Sequence, residues 1–218
     1  MLTKAFLFDL DGVIVDTAIY HYQAWKRLAN ELGFDISEAF NERLKGVSRM
    51  ESLDLILAEG GLTLPDEKKA ELAAQKNQWY LELVSRMTSD DILPGVASFF
   101  AQVRKAGLQT ALGSVSKNAP LILERIGMSD AFDAVIDGTK ISKGKPDPEV
   151  FAKGAAELYV QPGECVVFED AVAGVEAGKR AGMFVVGLGS PDILTQADMI
   201  APSLQSLTVE GILAQSQV

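Results

Sequence analysis

Cysteine and histidine are almost missing: the 218-residue chain has one of each, Cys165 and His21. That inventory excludes a disulfide framework, an iron–sulfur cluster, a cysteine-rich zinc site and any multi-histidine metal centre. A metal bound here has to be a hard cation held by oxygen ligands. Basic residues are also scarce. Thirty Asp and Glu face twenty Lys and Arg, a net charge of −10. That argues against nucleic acid as a partner, because phosphate-backbone binding needs a basic face. No apolar run approaches the roughly 20 residues of a membrane span. The first apolar run, Ala5 to Phe8, stops at Asp9 and Asp11, acids that a signal-peptide core does not tolerate. The expectation is a cytoplasmic protein with no membrane partner. Apolar residues make up 48% of the chain, which supports a packed core and excludes low-complexity disorder.

Short apolar runs recur at Ala5–Phe8, Thr110–Leu112, Ala134–Ile136, Val166–Phe168 and Phe184–Leu188. None alternates polar with apolar, which suits strands buried on both faces of a parallel sheet. Helical patterns lie between them. Val96, Phe99, Phe100 and Val103 fall at i, i+3, i+4 and i+7, and Asp147-Pro148-Glu149 reads as a helix start. The alternation predicts a doubly wound α/β fold. One stretch breaks it. From Thr17 to Asp91 only helical periodicity is found, with stripes at Tyr22, Trp25, Leu28, Leu32 and at Leu72, Trp79, Leu83, Met87. Ser48 with Glu51 reads as a capping box. The expected organisation is an α/β core of residues 1–16 and 92–218 with an inserted helical cap, residues 17–91, hinged at both ends.

Polar clusters follow the expected strands, where doubly wound sheets collect ligands. Asp9 and Asp11 come directly after the first run. Asp-Gly is a common turn pair, but two carboxylates there also suit a nucleophile and a general acid/base. Ser114-Val115-Ser116-Lys117-Asn118 follows the second run. It offers hydroxyls and backbone N–H groups to a phosphate, or Ser116 is simply a helix N-cap. Lys143-Gly144-Lys145-Pro146 loosely resembles a nucleotide-binding P-loop, but the spacing from Gly138 is one residue too long. Pro146 also stands where Ser or Thr is required, so nucleotide binding is rejected. Lys145 is either an ordinary surface lysine or a group aimed at the same rim. Glu169 and Asp170 end the fourth run, with Asp170 also read as a helix cap. Two like charges about 4 Å apart repel by about 4 kcal/mol at an effective dielectric near 20. Four acids converging on one rim therefore call for a cation, and oxygen ligands point to Mg²⁺. A magnesium ion, a lysine and a serine-rich loop together describe a phosphoryl-transfer site. From periodicity alone, Lys76 on its apolar stripe is expected to snorkel to solvent, and His21 to pack beside Trp25 and Leu28.

These residues, in this order over the whole chain, resemble the haloacid dehalogenase-like superfamily in its Mg²⁺-dependent phosphotransferase branch. Asp9-x-Asp11-Gly-Val matches the first motif, Ser114 the second, Lys145 the third and Glu169-Asp170 the fourth. Within it, the chain resembles the β-phosphoglucomutase family through Asp9–Val13, Asp16-Thr17, Tyr20-His21, Leu44-Lys45-Gly46-Val47-Ser48-Arg49, Lys76-Asn77, Ser114–Asn118 and Glu169-Asp170. The resemblance implies interconversion of β-glucose 1-phosphate and glucose 6-phosphate through an aspartyl phosphate and a β-glucose 1,6-bisphosphate. It implies that Asp9 is the nucleophile and Asp11 the acid/base. Mg²⁺ is then held by the Asp9 side chain, the Asp11 carbonyl and Asp170, with Glu169 supporting. It implies that Ser114 and Lys145 hold the transferring phosphate, and that Arg49, Ser116, Lys117 and Asn118 hold the far phosphate. Thr17, His21 and Lys76 join the catalytic set, and Lys45, Gly46, Val47 and Val115 the substrate-binding set. Two other readings stay open at this point: a Mg²⁺-dependent phosphatase of small sugar phosphates, and a non-enzymatic phospho-receiver module. A monomer is expected, since a closing cap needs no second copy.

Overall fold

The computed structural model describes residues 2–44 and 47–216. Lys45 and Gly46, both expected in the substrate-binding set, lie outside the described residues. Six strands form one parallel sheet: β1 (Ala5–Phe8), β2 (Gln109–Gly113), β3 (Ala134–Ile136), β4 (Cys165–Glu169), β5 (Phe184–Leu188) and β6 (Met199–Ala201). Their spatial order is β3-β2-β1-β4-β5-β6. The chain thus winds one way from β1 through β2 to β3, then returns to the other side of β1 with β4. The crevice at this reversal is where doubly wound sheets bind ligands.

The five expected runs all lie within strands, because strands buried on both faces must be apolar at every position. All four residues of β1 are fully buried. Phe6 and Phe8 point to one face, where they meet Phe99 of α5 (Val96–Lys105) and Phe168. Ala5 and Leu7 point to the other, against Phe151 of α7 (Glu149–Glu157) and Val175 of α8 (Val172–Arg180). Helices α6 (Ala119–Arg125) and α9 (Val209–Ser216) join α5 on the first face.

Between β1 and α5 the described chain is helical: α1 (Ala18–Glu31), α2 (Glu38–Asn41), α3 (Arg49–Glu59) and α4 (Asp66–Val84), with two short 3₁₀ turns. Trp25, Leu28, Phe40, Leu53, Ile56 and Leu72 form an apolar cluster separate from the two that flank the sheet. The Ser48–Glu51 capping box is present, with both reciprocal bonds made. The α4 stripe is rotated from the expected one. Its buried face is Leu72, Ala73, Lys76, Tyr80 and Val84, while Leu83 is half-exposed. Two strands of chain join these helices to the sheet. Val15 pairs with Ile92, and Leu93 donates its N–H to the Ile14 carbonyl. No helix among the described residues is long and apolar enough to cross a membrane.

Candidate active site

A cleft of about 1170 Å³ opens above the carboxyl ends of the strands, walled on one side by strand-end loops and on the other by α1, α3 and α4. Asp9 directly follows β1 and is nearly buried. Its position is fixed from the main chain, where its N–H donates to the Phe168 carbonyl at 3.0 Å. Lys145, from the loop between β3 and α7, lies fully buried beneath it. Its Nζ donates to Asp9 Oδ1 at 2.6 Å and to Glu169 Oε1. Burial pulls the Lys145 pKa down, yet the two carboxylates together hold it above its ordinary value. Lys145 is therefore no surface lysine; it is a buried counter-charge to Asp9 and Glu169.

Asp11 turns the other way. Its Oδ1 accepts from Thr17 Oγ1, and Thr17 in turn accepts from the Tyr80 hydroxyl at 3.2 Å. Burial and the adjacent Asp9 carboxylate push the Asp11 pKa up to about 7, against the Thr17 hydrogen bond. A carboxyl poised there can both give and take a proton at neutral pH. The chain Asp11–Thr17–Tyr80 ties this group to α4.

Asp9, Glu169 and Asp170 each present a carboxylate oxygen within 4.8 Å of the others. Burial pushes Glu169 up to about 8, with Lys145 opposing and Asp9 and Asp170 adding to the rise. Such crowded acids repel unless a cation lies among them. The main chain lets Asp170 approach this group closely. Gly12 has φ +77°, and a Cβ there would sit 2.1 Å from Asp170 Oδ2. A side chain at this position would fill the approach to Asp170. The donor set is all oxygen, which suits a hard divalent ion. Asp170 is not the cap of α8: Ala171 occupies that position, and Glu169 Oε2 accepts the Ala171 N–H. Glu169 is thereby held by Lys145 on one oxygen and by the main chain on the other.

The loop after β2 is a pair of successive serine turns. Ser114 Oγ accepts from the Ser116 N–H at 3.1 Å, and Ser116 Oγ accepts from the Asn118 N–H at 3.2 Å. Ser116 is thus not a helix N-cap, since α6 begins only at Ala119. A hydroxyl that accepts from the main chain keeps its own O–H to donate, which is what a phosphate oxygen needs. Gly138 braces this loop: its N–H donates to the Ser116 carbonyl, and a Cβ on it would lie 2.2 Å from the Val115 carbonyl oxygen. Val115, Ser116, Lys117 and Asn118 all line the cleft, as does Ser114.

The opposite wall carries Val47, Arg49, Lys76, Asn77 and His21. Lys76 does not snorkel. It is 2% exposed, with Nζ 2.8 Å from His21 Nδ1 and 4.3 Å from the Trp25 ring centroid. Burial and the nearby Arg49 hold the Lys76 pKa well below its ordinary value, and burial, Lys76 and Arg49 do the same to His21. The His21 ring packs on Tyr80, tilted by 34° with centroids 4.1 Å apart. Two residues on this site had no motif to assign them to it: Tyr80 and Gly138. Asn77 accepts a hydrogen bond from Asn118 Nδ2 at 2.9 Å, across the cleft. Tyr80 reads in the sequence as one more apolar helix position.

Comparison with known proteins agrees with this geometry. The family model "haloacid dehalogenase-like hydrolase" matches residues 3–182. A β-phosphoglucomutase of Bacillus subtilis is 44% identical over 95% of this chain and 92% of its own length. A phosphorylated carbohydrates phosphatase of Thermotoga maritima is 31% identical over 83% of this chain and 82% of its own. The crystal structure of a β-phosphoglucomutase from Clostridium difficile superimposes with a TM-score of 0.96 at 44% identity, covering 99% of this chain and 98% of that one. With the four motifs gathered at one cleft and the match running through both parts of the fold, this chain belongs to the haloacid dehalogenase-like hydrolase family.

Proposed function

We propose that this chain is a β-phosphoglucomutase, interconverting β-glucose 1-phosphate and glucose 6-phosphate. The observation that carries the reading is that Asp9, with Lys145 bonded beneath it, and Ser114 line the same cleft as Arg49, Ser116, Lys117 and Asn118. In this reading Ser114 and the Asp9–Lys145 pair serve one phosphate, and Arg49, Ser116, Lys117 and Asn118 serve the other. A sugar bisphosphate has two phosphates to hold, and an arginine fork suits the second. The likeness to two β-phosphoglucomutases at 44% identity supports the same conclusion.

In this reading the Asp9 carboxylate attacks phosphorus, and the P–O bond to the sugar breaks. Asp11 gives its proton to the departing sugar oxygen. In the second half, Asp11 takes the proton from the incoming hydroxyl as that oxygen attacks the aspartyl phosphate, and Asp9 is regenerated. Lys145 holds Asp9 in place and offsets the charge of the transferring group, with Ser114 donating its O–H. Asp9, the Asp11 carbonyl, Asp170 and Glu169 are the residues to hold Mg²⁺, which when bound offsets charge on the phosphoryl oxygens. Val47 and Val115 complete the substrate wall; Lys45 and Gly46, outside the described residues, are assigned to substrate binding by resemblance alone. Residues 17–91 act as a cap that closes on the core, residues 1–16 and 92–218, and keeps water from the phosphoenzyme. Thr17 couples that motion to Asp11, and His21 with Lys76 sets its closed position. A closing cap needs no second copy, which favours a monomer.

The test is to supply β-glucose 1-phosphate, Mg²⁺ and a trace of β-glucose 1,6-bisphosphate, and to follow the products by phosphorus NMR. Glucose 6-phosphate is expected to accumulate. Accumulation of inorganic phosphate in its place would refute the mutase reading in favour of a phosphatase.

A further inference from the structure

We propose that Asn77 is a positioning residue that acts through Asn118 and so biases the phosphoenzyme toward a sugar hydroxyl over water. The inference rests on the mutase reading above. Asn77 sits on α4, next to the buried Lys76, and Asn118 sits in the loop after β2, 41 residues further on. Their side chains meet across the cleft, Asn118 Nδ2 donating to Asn77 Oδ1 at 2.9 Å. A primary amide has two N–H donors. The bond to Asn77 uses one and fixes the amide plane, which directs the second toward a phosphate in the cleft. The main chain fixes the rest of Asn118, whose N–H is already given to Ser116 Oγ.

One hydrogen bond thus links a helix of the cap to a group proposed to bind the far phosphate. A far phosphate that accepts the second N–H joins the same link, so its contact bears on α4 as well as on the core. A second point of approach lies at Gly144, where a Cβ would stand 3.4 Å from Glu51 Oε2 of the α3 capping box. A phosphate ester lacking a second phosphate cannot accept that N–H and cannot draw on the link.

The experiment is a double-mutant cycle with Asn77→Ala, Asn118→Ala and the double variant. Each is assayed with β-glucose 1-phosphate, β-glucose 1,6-bisphosphate and Mg²⁺. The readouts are the KM for the bisphosphate, kcat, and the ratio of inorganic phosphate to glucose 6-phosphate. Asn77 is half-buried on the cleft wall and alanine is the better helix former, so the variant folds. Asn77→Ala is expected to raise both KM and the phosphate ratio roughly two- to tenfold, the range of one neutral hydrogen bond. In the Asn118→Ala background it is expected to change neither. An unchanged ratio in Asn77→Ala overturns the proposal, and so do effects of the two substitutions that multiply. Wild-type protein that releases phosphate without glucose 6-phosphate overturns the mutase reading and this inference with it, an outcome separate from the first two.

Discussion

Replacing Lys76 with methionine should stabilise the protein while crippling it. Lys76 is 2% exposed, and its ammonium faces the Trp25 and Tyr80 rings and His21, with the Asp11 carboxylate acting on it only weakly against burial and Arg49. Arg49 adds a like charge nearby. Methionine has a similar length, no charge and favourable contacts with the same rings. Two terms decide the sign. Removing a buried charge in favour of an apolar isostere commonly gains about 1–4 kcal/mol. Losing the bond to His21 costs about 1–3 kcal/mol if the ring nitrogen is left bare, but His21 is only half-buried on the cleft wall, so water can take the place of Lys76. The net expectation is a gain of about 1 kcal/mol at neutral pH. The pH dependence is a sharper test. The Lys76 pKa is lowered in the folded protein, so below its unfolded value the unfolded chain binds more protons. Wild-type stability should therefore rise with pH between the folded and the unfolded lysine pKa, by about 1.4 kcal/mol per pH unit at most. Lys76→Met should lose that rise. Mutase turnover should fall roughly ten- to hundredfold, the range for a charge-assisted hydrogen bond. Urea midpoints at several pH values between neutrality and 10, with phosphorus NMR for activity, measure all three. A destabilised Met variant with the wild-type pH slope would refute the reasoning.

Asp9→Asn should abolish the phosphoenzyme, seen as loss of the acyl-phosphate resonance, while circular dichroism stays native; normal turnover would remove Asp9 as nucleophile. Arg49→Ala should cut isomerisation about tenfold or more, as expected for a charge-assisted phosphate contact, and spare hydrolysis of p-nitrophenyl phosphate; equal losses would count against a far-phosphate grip. Gly138→Ala places a Cβ 2.2 Å from the Val115 carbonyl oxygen, so it should destabilise by about 1–3 kcal/mol and raise the KM for sugar phosphates, read from urea melts and initial rates. Stripping the protein with EDTA should stop turnover, and added Mg²⁺ should restore it.

The core of the fold was legible because β1 to β5 each carry a short run that is almost wholly apolar, without polar–apolar alternation. Ala5–Phe8 could be nothing else, with a partner strand on either side and helices on both faces. Strand β6 was not legible. Met199–Ala201 is a three-residue edge strand, half-buried at two positions, and it carries no run long enough to stand out. The Ser48–Glu51 box was readable since both of its bonds are local. The cap readings of Ser116 and Asp170 failed for the opposite reason: a serine or aspartate before a helix serves a turn as well as a cap, and sequence spacing alone does not decide between them.

Lys76 shows where periodicity stops. Its place on an apolar stripe was correctly read, but a lone lysine on such a stripe normally escapes along its flexible stem. Most of what keeps it in is not on its own helix. Trp25 and His21 come from α1, and together with Tyr80 they enclose the ammonium. The same non-local logic makes the rest of the site. Lys145 is held between carboxylates 136 and 24 residues away, and Asp11 is steered by a tyrosine that reads as core. Each of these groups is costly to bury by itself, and each is tolerable only once the others are in place. The cleft is therefore the part of the molecule where local rules and the final structure disagree most, which is where a site selected for chemistry over stability is expected to lie.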